Sequence, residues 1–178
     1  NKLKEYDKAE ENFAKAFDIK YLDPGNELQH CWTTSWGLST RMVGAIVMVH
    51  GDDKGLRLPP QLAPYQGVVV PIFKTDDEKE PVMKAVGLVT DNLRSAGYRI
   101  HVDEREGLTP GNKFNDWEMR GVPVRVEIGP RDVASGSIVL ARRDVAGKEG
   151  KTSISAEGCS REIEGVLATV QESLLQEA

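Results

Sequence analysis

Charged and amide side chains crowd the segment 113–132, KFNDWEMRGVPVRVEIGPRD. Arginine and lysine donate hydrogen bonds, carboxylates accept them and amides do both, so such groups at one end of a sheet can bind the edges of unpaired bases. The polar set consists of Lys113, Asn115, Asp116, Glu118 and Arg120, followed after the central strand by Arg131 and Asp132. The segment is therefore a candidate surface for reading nucleic acid.

The centre of this segment alternates as a strand does. One face carries Val122, Val124, Val126 and Ile128, and the other carries Pro123, Arg125 and Glu127. A half-buried strand with a solvated outer face explains the alternation by itself, whereas the polar groups on both sides favour a reading surface. Both interpretations stay open at this level. For Phe114 and Trp117 we favour packing in the core over stacking on a base.

Other kinds of chemistry have little support in the sequence. The carboxylates could form an acid–base pair, but no nucleophile, histidine or metal cluster lies near them. His30, His50 and His101 have no zinc-ligand spacing with Cys31 or Cys159, so we predict no metal site. Two widely separated cysteines are typical of reduced thiols in a cytosolic protein. An independent small enzyme is therefore disfavoured.

The composition limits the partners. The 178 residues are 39% hydrophobic and 29% charged, and the net charge of −5 argues against sequence-blind coating of nucleic acid or of an anionic membrane. The longest apolar run, MVGAIVMV at 42–49, is too short to cross a bilayer. The N-terminal residues do not have the pattern of a secretory signal. We expect a cytoplasmic protein without a membrane partner.

Residues 1–64 are predicted to form a first domain that ends in a linker. The predicted elements are a helix over 1–20, a turn at 23–26, a strand over 28–36 and, over the apolar run 42–50, a helix. Periodicity alone also allows a strand over this last run, and its length favours the helix. The stretch 50–66 contains Gly, Pro and Asp without a helical period, which indicates a linker with some order. We place the domain boundary near Pro64.

Residues 65–178 show more regular patterns. The predicted strands span 68–72, 98–102, 122–128 and 138–143, and the predicted helices span 77–96, 113–120 and 160–175. Strands that alternate with helices, and two strands in succession before the last helix, are typical of a compact α/β domain with a mixed sheet.

The motif SWGLSTR, residues 35–41, places a glycine four residues before an arginine, with a serine and a threonine between them. A glycine on a strand that runs into a Ser/Thr-rich turn and an arginine resembles the third motif of class II aminoacyl-tRNA synthetases. In that family the arginine covers the adenine of ATP and counters phosphate charge, which suits a planar guanidinium. Taken alone, a Gly-x-x-x-Arg pattern favours a structural arginine.

Longer stretches carry a more specific resemblance. ENFAKAFDIKY, WTTSWGLSTRMVGAIVMVHGDDKGLRLPPQLAPYQ and TPGNKFNDWEMRGVPVRVEIGPRD follow the order and spacing of the C-terminal half of prolyl-tRNA synthetases of the archaeal and eukaryotic-like type. The chain resembles that family from residue 11 to residue 178. The resemblance implies a C-terminal remnant of the class II catalytic domain over 1–64, with part of its antiparallel sheet, motif 3 and the linker. It implies an anticodon-binding α/β domain with a mixed sheet over 65–178.

The same resemblance implies site residues. ATP would be bound by Ser39 and Arg41, and the floor of the proline pocket would contain Trp36 and Gly37. The anticodon-binding residues would be among Asp103, Arg105, Lys113, Asp116, Glu118, Arg125 and Glu127. Prolyl anticodons share two guanines, which present acceptors on one edge and N–H donors on another, so a site that mixes basic and acidic groups suits them.

The resemblance also implies an activity that this chain would not perform alone. The full enzyme would be a homodimer that joins proline to prolyl tRNA with ATP, assisted by Mg on the phosphates. Counterparts of the family's first and second motifs are absent, so we expect no complete catalytic set and no tightly bound cofactor. The segment itself would recognise the anticodon. The alternative is a non-catalytic tRNA-binding or accessory module with an anticodon-binding fold.

Overall fold

The computed structural model describes residues 19–31 and 36–177 of the chain. The chain divides into two units, Asn1–Thr40 and Arg41–Ala178. The predicted helix over 1–20 lies almost wholly outside the described residues. Residues 41–64 belong to the second unit, and the division near Pro64 into a catalytic remnant and an anticodon-binding domain stays a prediction.

A short hairpin is the regular structure described in the first unit. Strands β1 (Lys20–Leu22) and β2 (Leu28–His30) pair in antiparallel fashion. The Asp23 side chain organises the turn, because its Oδ1 accepts hydrogen bonds from the backbone N–H of Gly25 (2.8 Å) and of Glu27 (2.9 Å). The predicted turn is thus confirmed. The strand predicted over 28–36 is observed over its first three residues, and 32–35 lie outside the described residues.

The second unit begins with a helix and a small hairpin. Helix α1 (Arg41–His50) confirms the helical interpretation of the apolar run. Strands β3 (Gly51–Asp52) and β4 (Gly55–Leu56) follow at once and pair in antiparallel fashion. The stretch 50–66, predicted as a linker with some order, therefore begins with a regular hairpin. The hairpin forms because the Asp52 carboxylate accepts a hydrogen bond from the Lys54 N–H (2.9 Å), which closes a tight turn.

A mixed sheet forms the centre of the second unit, as predicted, and it has five strands where four were predicted. Its strands are β5 (Gly67–Pro71), β6 (Ile100–Val102), β7 (Val124–Ile128), β8 (Ser137–Arg142) and β9 (Lys151–Ser155). Their order is β6-β5-β7-β8-β9, with β5 parallel to β6 and β7, and with antiparallel pairing from β7 to β8 and from β8 to β9. The sequence analysis did not predict β9.

The helices lie on both faces of this sheet. They are α2 (Asp76–Ser95), α3 (Pro110–Met119), α4 (Pro130–Ser135) and α5 (Cys159–Glu177). One face packs with α2 and α5 around residues such as Val126, Leu93 and Ile163, whereas the other packs with α3 through Trp117. The helix α4 was not predicted.

The strand β7 differs from its predicted form. All five of its residues, including Arg125 and Glu127, are buried, so the interpretation as a half-buried strand with a solvated outer face is wrong. The reason is that β7 is a central strand whose second face lies beside α3. Val122 precedes the strand and packs with Val68, Val70 and Trp117, on the opposite side from Val124.

Gly121 allows the end of α3 to lie against the β3–β4 hairpin. Its φ is +74°, and a Cβ atom placed there would lie 2.7 Å from Leu56 Cβ and 2.8 Å from the Leu56 backbone. We expect Gly121→Ala to lower the free energy of unfolding by about 2 kcal/mol or more, because left-handed strain and a backbone clash add. Equilibrium urea unfolding measures this.

Gly136→Ala is the matched control. Its φ is +65°, and the space around it is open. This variant therefore isolates the cost of backbone strain, about 1 kcal/mol. Equal losses for both variants would show that the contact between Gly121 and Leu56 is unimportant.

Candidate nucleic-acid interface

The seven polar residues predicted to meet an anticodon fall into two groups in the structure. The first, named the Asp103 cluster, consists of Asp103, Arg105, Lys113 and Asp116. The second, named the Glu118 cluster, consists of the predicted Glu118, Arg125 and Glu127 together with Lys151 and Phe114. Helix α3 contributes to both clusters.

Asp103 is the centre of the first cluster and is fully buried. Its carboxylate accepts hydrogen bonds from Arg105 Nε (2.9 Å) and Nη2 (2.7 Å) and from Trp117 Nε1 (2.7 Å). Lys113, also buried, donates from Nζ to the Asp103 carbonyl oxygen (3.0 Å). Arg105 Nη1 donates onward to Asp116 Oδ2 (2.7 Å). The cluster thus fastens α3 to the end of β6.

The ionisation of this cluster follows from the same contacts. Burial alone would raise the pKa of Asp103, but the hydrogen bonds from Arg105 and Trp117 outweigh it and hold that pKa well below the ordinary value. The pKa of Asp116 is also lowered, because Arg105 and Arg120 outweigh the effect of burial. The hydrogen bond to Asp103, followed by that to Asp116, raises the pKa of Arg105. All three groups are therefore charged at neutral pH.

The two aromatic residues of α3 take different positions. Trp117 is buried and packs with Val68, Val70 and Val122, which confirms core packing. Phe114 is partly buried against that group, and the Arg125 guanidinium lies over its ring at 4.1 Å from the centroid. The Lys151 ammonium lies 5.5 Å from the same centroid. Phe114 therefore joins the apolar core to the charged groups of the Glu118 cluster.

The Glu118 cluster is a chain of alternating charges. Arg125 donates to Glu118 Oε1 from Nη1 (3.1 Å) and to Glu127 Oε1 from Nε (3.1 Å). Lys151 Nζ donates to both carboxylate oxygens of Glu127, each at 2.8 Å. The side chains of Glu118 and Lys151 are 29% and 38% exposed, whereas those of Arg125 and Glu127 are about 10% exposed. The ends of the chain are therefore the groups most accessible to a ligand.

The sheet continues past this cluster with an accessible face. Cross-strand pairing places Lys151 and Ser153 of β9 in line with Arg125 and Glu127 of β7, on the same face. Lys151, Ser153 and Ser155 are exposed. The charged chain thus borders a polar surface of β9 that could take an extended ligand. The sequence analysis missed Lys151 because it did not recognise β9.

A cavity of about 260 Å³ lies between the β3–β4 hairpin and the Glu118 cluster. Its lining includes Asp52, Lys54, Glu118, Arg125, Arg143 and Lys151. Arg143 is buried. The sequence analysis placed it at the end of the strand predicted over 138–143, but no motif indicated that it lies beside the cluster. The cavity brings donors and acceptors from three parts of the fold to one opening.

The residues assigned to ATP and proline are divided between the two units. Trp36, Gly37 and Ser39 belong to the first unit and are exposed, Trp36 to 96%. Arg41 is the first residue of α1 in the second unit and is also exposed. Their roles stay predictions. Cys31 is partly buried and Cys159 is buried, and both are free thiols.

The described residues contain neither a candidate metal site nor a candidate membrane span. Among residues 19–31 and 36–177, no set of three or more His, Cys, Asp and Glu side chains could hold a metal ion. Within the same residues, no helix combines the length and the apolar character needed to cross a membrane.

Comparison with known protein families identifies the domain family that contains these two clusters. The family model described as the anticodon binding domain matches residues 66–164, more than half of the chain. The chain belongs to the anticodon-binding domain family. The matched residues of this anticodon-binding domain include both the Asp103 cluster and the Glu118 cluster, together with all five strands of the central sheet.

Relatives of the chain extend the match to its N-terminal part. The chain is 52% identical over 168 residues to the proline–tRNA ligase of Chloroflexus aggregans, 51% identical over 168 residues to that of Roseiflexus castenholzii, and 51% identical over 164 residues to the chloroplastic/mitochondrial proline–tRNA ligase of Arabidopsis thaliana. These alignments cover 94%, 94% and 92% of the chain, and 35%, 35% and 30% of the relatives. The chain thus spans about a third of the length of these relatives, and its resemblance to prolyl-tRNA synthetases is confirmed.

Proposed function

We propose that this chain is the anticodon-recognising part of a proline–tRNA ligase and that its ligand is the anticodon loop of prolyl tRNA. The observation that carries the proposal is the Glu118 cluster. It combines carboxylates, a guanidinium and an ammonium beside an aromatic ring and an accessible strand face. Single-stranded RNA is recognised by such combinations, because unpaired bases can stack and expose their edges at the same time.

The chemistry of guanine fits this cluster. Its Watson–Crick edge donates from N1 and N2, which suits the accessible carboxylate of Glu118, whereas O6 and N7 accept from a guanidinium or an ammonium. In the free protein these groups satisfy one another. A base that enters the cavity therefore exchanges ion pairs for hydrogen bonds, and it compensates both signs of charge only if its donors face the carboxylate and its acceptors face the basic groups, as those of guanine do.

The Asp103 cluster positions the helix that carries part of this site. Asp103 and Lys113 are buried, and they position α3, which carries Glu118. Arg105 and Asp116 are more accessible, with side chains 40% and 31% exposed, and they provide a second donor–acceptor pair for the loop. The seven predicted residues thus divide into groups that hold α3 and groups that contact RNA.

The longer protein would perform the complete reaction. In it, ATP and proline would form an adenylate, and the prolyl group would pass to the terminal ribose of the tRNA, with Mg on the phosphates. Arg41 and Ser39 would bind ATP, and Trp36 and Gly37 would border the proline pocket. Arg41 suits this role because it is exposed and its planar guanidinium can stack on adenine. We place this enzyme in the cytoplasm as a homodimer.

Binding of a prolyl anticodon stem-loop to the 178-residue chain tests the proposal. We expect Arg125→Ala to weaken binding about tenfold or more, because a bidentate donor to the base is lost. We expect Lys113→Ala to weaken it less, through the position of α3. Binding should also fall as salt rises, because phosphate contacts release counterions. Fluorescence anisotropy at several salt concentrations measures both effects.

Lys84→Ala is the matched control, since Lys84 is an exposed lysine on α2, which packs on the opposite face of the sheet from α3. This variant removes the same charge and should bind RNA as the parent does. If Arg125→Ala and Lys113→Ala both bind as tightly as the parent while remaining folded by circular dichroism, the proposed interface is wrong.

A further inference from the structure

Helix α1 is attached to the rest of its unit through its carboxyl end. All of its residues are exposed or only partly buried, so side-chain packing contributes little to it. His50, its last residue, is followed directly by β3, and the His50 carbonyl accepts a hydrogen bond from the Arg57 N–H (2.9 Å). A ten-residue helix is marginal in isolation. The conformation of α1 therefore depends on the β3–β4 hairpin.

The hairpin is in turn fastened to the end of α3. A Cβ atom on Gly55 would lie 2.5 Å from Met119 Cα, so the two backbones are in direct contact. On the other side of the hairpin, the Leu58 N–H donates to the Gly121 carbonyl (3.1 Å). The last turn of α3, which carries Glu118, therefore packs directly against the hairpin.

One buried arginine joins these parts. Arg143 Nη1 and Nη2 donate to the two carboxylate oxygens of Asp52 on the hairpin, at 2.8 and 2.6 Å, and its Nε donates to the backbone carbonyl of Glu118 at 2.8 Å. The hydrogen bond from Arg143 lowers the pKa of Asp52 to about 2, so the pair is ionised at neutral pH. We call Arg143 and Asp52 the hairpin clamp.

The clamp and the proposed RNA site share Glu118. Its side chain binds Arg125, and its carbonyl binds Arg143. The cavity between them is lined by the hairpin as well as by the Glu118 cluster. A base in this cavity would therefore contact both the hairpin and the Glu118 cluster. Its binding energy would then differ between a protein whose hairpin is held by the clamp and one whose hairpin is released. A differential of this kind is what coupling between two sites requires.

We propose that Arg143 and Asp52 are positioning residues that couple RNA bound at the Glu118 cluster to the conformation of α1, the helix that begins with Arg41. The inference rests on the proposed function, because it takes RNA as the ligand of the Glu118 cluster. Bound RNA stabilises the clamp, the clamp holds the hairpin, and the hairpin holds the carboxyl end of α1. In the longer protein this route would connect anticodon recognition to the arginine assigned to ATP.

Hydrogen–deuterium exchange of the 178-residue chain, with and without a prolyl anticodon stem-loop, tests the coupling. We expect RNA to slow exchange of the α1 amides about fivefold or more, the lower end of typical coupling factors. In Arg143→Lys the slowing should disappear, because a lysine cannot form the forked contact with Asp52 and also reach Glu118. RNA affinity should fall by no more than the lost coupling factor, since coupling is reciprocal.

Two further variants complete the test. Arg142→Lys is the matched control, because Arg142 lines the same cavity but pairs with Asp144 and not with the hairpin. It should keep the protection of α1. Asp52→Asn removes the charge of the clamp from the hairpin side and should lose the protection, even if Arg143→Lys is poorly folded.

The outcomes separate the two proposals. If the parent chain does not bind the stem-loop, the proposed function fails and the coupling with it. If the parent binds RNA without protection of α1, the coupling alone is wrong. If protection persists in both Arg143→Lys and Asp52→Asn, the clamp does not transmit it and the assignment of these two residues is overturned.

Discussion

Asp103→Asn is expected to lower the free energy of unfolding of the unit Arg41–Ala178 by about 3 kcal/mol or more, the usual cost of breaking a buried ion pair. Asp103 is fully buried. Its carboxylate accepts hydrogen bonds from Arg105 and Trp117, and the Lys113 ammonium lies close to it. The amide keeps the shape of the side chain but removes its charge. Lys113 then stays buried without a nearby carboxylate. The N–H₂ group of the new asparagine also replaces an acceptor, so it faces groups that are themselves donors.

Equilibrium urea unfolding followed by Trp fluorescence measures this loss, and Trp117 reports directly on the site. Glu104→Gln is the matched control. Glu104 is the next residue in the chain and is exposed, and its substitution also replaces a carboxylate by an amide. This control should stay within about 0.5 kcal/mol of the parent. A similar small effect for Asp103→Asn would show that the cluster does not fasten α3.

The acid dependence of stability provides a second readout of the same site. The pKa of Asp103 is lower in the folded state than the ordinary aspartate value of about 3.9. Its stabilising contribution is therefore complete above that ordinary value and is lost as the pH falls through the folded pKa. The parent should lose stability steeply below about pH 4, and Asp103→Asn should lose less over the same range.

The sequence predicted the central elements because burial leaves a periodic pattern. The apolar strand at 68–72 and the helical face of Val82, Val86 and Leu93 both correspond to buried elements of the structure. β9 was missed because KTSIS is exposed at four of five positions and has a single apolar residue, Ile154. The hairpin at 51–56 was missed because two-residue strands carry no period.

The candidate site was only partly predictable for a different reason. Composition showed that charged groups were concentrated near residue 113, but not which of them were buried. Asp103 and Lys113 lie inside the fold, whereas Glu118 remains accessible. That division depends on the packing of α3, which brings Trp117 within hydrogen-bond distance of Asp103 and Glu118 within hydrogen-bond distance of Arg125. Long-range contacts of this kind, like that between Arg143 and Asp52, leave no signal in one sequence.

The second large effect concerns the RNA rather than the protein. A site whose carboxylate and guanidinium are satisfied by guanine leaves these groups unpaired when the base presents the wrong edge. Adenine presents the N6 donor and the N1 acceptor where guanine presents the O6 acceptor and the N1–H donor, so the carboxylate and the guanidinium of the Glu118 cluster each face a group of the wrong kind. Each mismatched base costs about 1–3 kcal/mol in comparable recognition. Replacement of both guanines of the prolyl anticodon should therefore weaken binding at least about thirtyfold.

The most direct test of this account is the ratio of two dissociation constants for the 178-residue chain at one salt concentration. One stem-loop carries the prolyl anticodon, and the other carries adenine in place of both shared guanines. A third RNA, with a changed stem and an intact anticodon, should bind as the first does. The account predicts a ratio of at least about thirty between the adenine RNA and the guanine RNA. Equal affinity for the two would contradict anticodon recognition by this chain.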